Sequence, residues 1–221
     1  MKGVLFDLDG ILTDTAKFHF AAWSRLAQEE LGVILPAEFE SELKGVSRVD
    51  SLVRIMDYAG IMNNYSPAEI KKLANKKNDY YVKAISSLTR EDILPGITEF
   101  LDELTEHQVA CAIASASKNA PLILKNLGLS DYFAAIADPA KVAHGKPAPD
   151  IFLAAADTLG IDPKECVGIE DAVAGVTAIK ASGALAIGVG DTQELKEADI
   201  VVPTTNELDY KLLTQTFAKK Y

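Results

Sequence analysis

Six short runs that are apolar from end to end punctuate this chain: Gly3–Phe6, Val109–Ala114, Ala134–Ala137, Cys166–Ile169, Ala184–Val189 and Ile200–Val202. From about residue 89 onward, helical patterns alternate with the runs, among them Ile97–Glu106, Ala120–Leu127, Asp150–Leu159 and Val173–Ser182. Gly128, Gly160 and Gly183 stand where the last three helices should end, the usual place for a left-handed C-terminal residue. A strand that is apolar throughout has both faces buried. Strands of that kind alternating with helices imply an α/β fold, a parallel sheet covered by helices on both sides.

Residues 15 to 88 break the alternation. Phe20, Trp23, Ala27 and Leu31 repeat at helical spacing, and so do Ile70, Leu73, Lys77 and Tyr81. Ser66-Pro67-Ala68-Glu69 predicts a helix start, with a serine N-cap, proline at the first helical position and glutamate at the third. The block therefore reads as an all-helical domain inserted after strand one, through linkers near Thr13–Ala16 and Ser86–Asp92. Residues 1–14 and 89–221 form the sheet domain. The lysine-rich stretch Lys71–Lys77 reads as a solvated helix face, except for Lys77 on the apolar stripe.

Composition narrows the function classes. Asp plus Glu total 32 against 22 Lys plus Arg, a net charge of −10, so a phosphate backbone would be repelled and nucleic acid is not an expected partner. The longest stretches free of Asp, Glu, Lys and Arg run 11 residues, Tyr58–Ala68 and His107–Ser117. A membrane helix needs about 18 or more apolar residues, so no membrane association is expected. Asp7 and Asp9 interrupt any signal-like apolar start, and Cys111 and Cys166 sit in apolar runs as buried free thiols. A soluble cytoplasmic chain, active as a monomer, is expected.

Open α/β sheets bind ligands at the carboxyl ends of their strands, so the residues after each run carry the information. Asp7 and Asp9 follow strand one and, at i and i+2, face the same way in extended chain. Ser115-Ala116-Ser117-Lys118-Asn119 follows Val109–Ala114 as a hydroxyl-rich turn opening a helix, able to offer N–H groups and a hydroxyl to an anion. Lys146-Pro147, a candidate cis peptide, lies in the loop after Ala134–Ala137, and Glu170-Asp171 follow Cys166–Ile169. Four carboxylates at one sheet edge repel one another unless a hard divalent cation joins them, and Mg²⁺ suits an all-oxygen ligand set. With a lysine and a helix start for a phosphate, the set suits phosphoryl transfer, in which a carboxylate can be the nucleophile. A dinucleotide site is excluded because Gly188-Val189-Gly190 lacks the third glycine and follows a late strand. A P-loop is excluded because Lys146 precedes proline.

FDLDGILTDT, AIASAS, GKPAPDIF and VGIEDAVAG resemble, in order, the four motifs of the haloacid dehalogenase superfamily of phosphotransferases. The resemblance implies a Rossmann-like core with a helical cap inserted after strand one. It implies Asp7 as nucleophile and Asp9 as general acid/base. Ser115 and Lys146 would hold the phosphate. Asp7, the backbone carbonyl of Asp9, Glu170 and Asp171 would serve Mg²⁺ directly or through water. DTAKFHFAAW, LKGVSRVDSL and LANKKNDYYV are similar to the cap of the bacterial β-phosphoglucomutase family. Its members interconvert β-D-glucose 1-phosphate and β-D-glucose 6-phosphate through β-D-glucose 1,6-bisphosphate.

That likeness implies that His19 orients Asp9 or meets the sugar and that Thr15 lies at the hinge. It puts Lys44, Gly45, Val46, Ser47, Arg48 and Ser51 on the cap side of the ligand, with Lys77 and Asn78 reaching in from the last cap helix. Ser117, Lys118 and Asn119, with Ala116 in the same turn, would contact it from the core. Arg48 suits the grip on the phosphate that is not transferred, since guanidinium binds phosphate through paired hydrogen bonds. Two other readings stand beside this one: a sugar-phosphate phosphatase of the same fold, and a non-catalytic sugar-phosphate sensor, against which the complete acid set argues.

Overall fold

The computed structural model describes residues 1–43, 46 and 48–220. Lys44, Gly45 and Ser47, three of the expected cap-side ligands, lie outside the described residues. The chain divides into two compact units, Met1–Asp14 with Leu88–Tyr221, and Thr15–Ser87.

The first unit is a six-stranded sheet in the order β3-β2-β1-β4-β5-β6. The strands are β1 (Gly3–Phe6), β2 (Ala110–Ile113), β3 (Ala135–Ile136), β4 (Cys166–Glu170), β5 (Leu185–Val189) and β6 (Ile200–Val202). Every neighbouring pair is parallel. Its helices are α5 (Ile97–Glu106), α6 (Ala120–Leu127), α7 (Asp150–Leu159), α8 (Val173–Ser182) and α9 (Tyr210–Lys220). β1, β4 and β5 are buried at every residue, so the sheet is covered on both faces. Ala112, Ala155, Val176 and Ile179 belong to one continuous apolar core. Phe6 adds edge contacts to Phe100 and Phe133, with ring centroids 5.9 and 5.6 Å away. Cys111 and Cys166 are free and buried, as their surroundings require.

The second unit holds α1 (Ala16–Leu26), α2 (Glu40–Leu43), α3 (Arg48–Tyr58) and α4 (Pro67–Ile85) around Trp23, Leu26, Leu52, Ile55 and Met56. Ser66 caps α4 in both directions: its Oγ accepts the Glu69 N–H, and Glu69 Oε2 accepts the Ser66 N–H at 2.8 Å. α1 gives way to a π-helical turn over Ala27–Leu31, closed by Gly32 in the left-handed region. Among the described residues, no helix is long and apolar enough to cross a membrane.

The sheet unit holds the two chain crossings together on its own side. Thr13 Oγ1 donates to the Asp92 carbonyl at 2.7 Å, and Leu94 N–H donates to the Leu12 carbonyl at 2.9 Å. Asp92 in turn caps the short turn that Thr89 opens.

Candidate active site

The tips of β1, β2 and β4 converge because the register brings them level. Phe6 pairs with Ile113 on one side and Ile169 on the other, so Asp7, Ala114 and Glu170 each follow a matched row. Asp7 N–H still bonds the Ile169 carbonyl at 3.0 Å, and Ala114 N–H bonds the Phe6 carbonyl at 2.7 Å. Leu8 is fully buried, and the chain then turns back as Leu12 N–H reaches the Leu8 carbonyl at 2.9 Å. Gly10 occupies the left-handed region at φ 76°, and a Cβ there would run into the Asp171 carboxylate. Its bare backbone is what lets the β1 turn pass that acid.

Asp7, Glu170 and Asp171 each present a carboxylate oxygen within 4.8 Å of the others. Glu170 falls inside β4 as its last residue, where the sequence reading ended the run at Ile169. Lys146 Nζ joins two of the acids, donating to Asp7 Oδ1 at 2.5 Å and to Glu170 Oε2 at 2.7 Å. The Phe152 ring lies 5.0 Å from the same ammonium. Lys146-Pro147 is cis. Burial alone would depress the Lys146 ammonium, but the Asp7 and Glu170 charges raise it above its usual value.

Two of the acids are raised as well, which for a carboxyl favours the neutral form. Burial, then the Asp7 and Asp171 charges, push the Asp9 carboxyl up to about 8. Asp9 thus holds a proton near neutral pH and can donate it. Burial and Asp7 likewise push Glu170 up to about 8, against the pull of Lys146. Were all three clustered carboxylates ionised, one ammonium would leave two negative charges over, which a divalent cation would offset while drawing the proton off Glu170. Oxygen donors of this kind fit a hard cation. The Asp9 carboxylate stands apart from that three-acid set.

Ser115 is buried two residues after the end of β2. It is not the cap of the following helix, since Asn119 holds that position before α6. Its Oγ instead accepts the Ser117 N–H at 3.1 Å, and Ser117 Oγ accepts the Asn119 N–H at 3.3 Å. These local bonds fold the turn tightly at the strand tip. Ala116 and Lys118 are exposed, and Ser117 and Asn119 are half-buried.

In the helical unit, Lys77 is buried, with its Nζ 2.7 Å from His19 Nδ1. An ammonium can only donate, so Nδ1 accepts and the neutral ring carries its proton on Nε2. The ring stacks on Tyr81 at 3.9 Å, and the Tyr81 hydroxyl donates to Thr15 Oγ1 at 3.2 Å. Trp23 and Tyr81 place their rings 4.7 and 5.0 Å from the Lys77 ammonium. Sequence periodicity marks Trp23 and Tyr81 only as core. The signal that Tyr81 does more is Lys77 on its own stripe in α4, while Trp23, on α1, carries no such signal. Asn78 and Arg48 are half-buried, and Ser51 is buried with its hydroxyl donating to the Val46 carbonyl at 3.4 Å.

Burial, followed by the Lys77 and Arg48 charges, lowers His19 to about 3. An unfolded histidine takes a proton near 6.5, so between pH 6.5 and 3 the unfolded chain binds the extra proton. His19 therefore lowers stability as pH falls below about 6.5, by at most about 5 kcal/mol when pH 3 is reached. His19→Asn keeps an acceptor for Lys77 without the titration. Thermal melts from pH 7 to 4 should show a shallower acid loss for the variant; parallel curves would contradict the assignment.

A parallel Rossmann-like sheet with acids, a serine and a lysine at its strand tips defines a phosphoryl-transfer class. The haloacid dehalogenase-like hydrolase model matches residues 1–183, and the chain belongs to that family. Within it the chain is 46% identical to β-phosphoglucomutase from Bacillus subtilis, over 96% of this chain and 94% of that one. The crystal structure of β-phosphoglucomutase from Clostridium difficile superposes with a TM-score of 0.93 at 40% identity, covering 100% of this chain and 98% of that one. Hexitol phosphatase A from Escherichia coli is more distant, at 32% identity over 94% of this chain and 93% of its own.

Proposed function

We propose that this chain is a Mg²⁺-dependent mutase that interconverts β-D-glucose 1-phosphate and β-D-glucose 6-phosphate through β-D-glucose 1,6-bisphosphate. The observation that carries the phosphoryl-transfer reading is Asp7, clamped by Lys146 and grouped with Glu170 and Asp171. Similarity to β-phosphoglucomutases over the whole length, helical unit included, supports the choice of substrate.

In the first half-reaction the Asp7–phosphoryl O–P bond breaks as a sugar hydroxyl oxygen bonds to phosphorus, and Asp9 takes the hydroxyl proton. After the bisphosphate reorients, the Asp7 carboxylate takes the other phosphoryl group and Asp9 returns the proton to the leaving sugar oxygen. Asp9, protonated in the metal-free cluster, would give up that proton once a bound cation offset the Asp7 and Asp171 charges, and could then act first as base and afterwards as acid. Lys146 and Ser115 bind the phosphoryl oxygens. Asp7, Glu170, Asp171 and the Asp9 carbonyl hold Mg²⁺, which when bound supplies positive charge to the phosphoryl oxygens.

The helical unit, Thr15–Ser87, serves as the cap, with Thr15 at its hinge and His19 as a polar contact for Asp9 or the sugar. Arg48 grips the phosphate that is not transferred, and Lys77 with Asn78, Lys44, Gly45, Val46, Ser47 and Ser51 completes the cap side. Ala116, Ser117, Lys118 and Asn119 complete the core side. The protein works as a cytoplasmic monomer.

The test offers each glucose 1-phosphate anomer with and without bisphosphate. The β anomer should yield glucose 6-phosphate only when a phosphoryl donor primes the enzyme; free phosphate and glucose as the main products would establish a phosphatase instead. Arg48→Ala should cost the mutase reaction about 10²-fold, the scale of one charge-assisted anchor. Hydrolysis of a simple phosphate ester should fall far less. Equal losses would contradict a two-phosphate grip.

A further inference from the structure

The first turn of α8 has a gap shaped by Glu170. Glu170 is buried at the end of β4. Its Oε1 accepts the Ala172 N–H at 3.2 Å, and its Oε2 accepts Lys146 Nζ at 2.7 Å. Gly175 lies within α8 with a φ outside the positive region, so the backbone there demands no glycine. Alanine would be the better helix former at such a place. Yet a methyl on Gly175 would overlap Cγ, Cδ and Oε2 of Glu170, and these are the three heavy atoms nearest to it. The overlap would be relieved by moving the end of one side chain, not by shifting backbone.

We propose that Gly175 is a positioning residue: its missing side chain keeps the Glu170 carboxylate folded back over the start of α8, within reach of both Lys146 and the cation site. With a methyl at 175 the carboxylate must swing away. It then loses the Lys146 bond or its place beside Asp7 and Asp171. The consequence for catalysis rests on the Mg²⁺ phosphoryl-transfer reading; the packing claim does not.

Four full-length proteins test it: wild type, Gly175→Ala, Glu170→Ala and the double variant, melted in EDTA. Gly175→Ala should lower Tm in the wild-type background and leave it unchanged or raise it in the Glu170→Ala background. The same shift in both backgrounds would overturn the proposal. If Gly175→Ala fails to fold, the proposal requires the double variant to fold, and its failure would count against it. Calorimetric Mg²⁺ titration should show at least tenfold weaker binding to folded Gly175→Ala than to wild type, with unchanged far-UV circular dichroism; equal affinity would also overturn it. A wild-type protein that neither binds Mg²⁺ nor isomerises the sugar phosphate defeats the functional reading instead, while the melts still decide the packing.

Discussion

Asp7→Asn is expected to lower primed turnover of β-glucose 1-phosphate by at least about 10⁴-fold, the scale on which loss of a nucleophile is felt. The amide is the same size and sits at the same strand tip, so the fold should persist. The reacting oxygen, however, would lose its negative charge. The substitution also changes the neighbours in a known direction. Asp7 is among the groups that raise both Asp9 and Glu170, so both carboxyls should titrate lower in the variant. Mass spectrometry of wild type mixed with bisphosphate should find one phosphoryl group on the peptide containing Asp7, and none in the variant. Wild-type turnover by Asp7→Asn, or labelling elsewhere, would remove Asp7 from the centre of the reaction.

The sheet was readable because its strands are buried on both faces and so are apolar without interruption. The errors are at the margins: Val109, Ala114, Ala134, Ala137 and Ala184 extend the apolar runs but fall outside the strands, and Glu170 belongs to β4. A charged residue inside a buried strand cannot be read from hydropathy, because what tolerates it is Lys146, 24 residues away in the chain. The π-helical turn at Ala27–Leu31 was also hidden, since Trp23, Ala27 and Leu31 keep a spacing that an ordinary helix satisfies. Lys77 shows the reverse case. Its place on the apolar stripe of α4 foretells burial, while its partners His19 and Trp23 come from α1 and depend on packing between helices. The order of acids, serine and lysine along the chain located the site. The space that glycines leave for those acids, at Gly10 and Gly175, has no signature in hydropathy or charge, because it exists only once the chain is folded.

Lys146→Met should strongly destabilise the unliganded protein. The side chain is nearly buried and is the bridge between Asp7 and Glu170. Methionine fills comparable volume and can lie against Phe152, so packing is largely kept. What is lost is the ammonium, and breaking a buried ion pair from one side costs about 3–5 kcal/mol because the remaining charge stays buried. The sign of the pH dependence follows from Glu170. Its carboxyl is already pushed up to about 8 with Lys146 pulling it down, so removing Lys146 must raise it further. A buried carboxyl whose folded value exceeds its unfolded value near 4.5 costs nothing below that pH. The cost grows as pH rises toward the folded value. Because both folded values lie at or above about 8, Glu170 costs the two proteins alike from pH 4.5 to 8, so the gap in Tm should stay level there and widen above pH 8. Activity should fall by about 10²–10³-fold, the cost of one donor aimed at developing charge. A gap that stays constant above pH 8 as well would mean that Lys146 stabilises the fold without neutralising the acids, and that the charge balance of the site lies elsewhere.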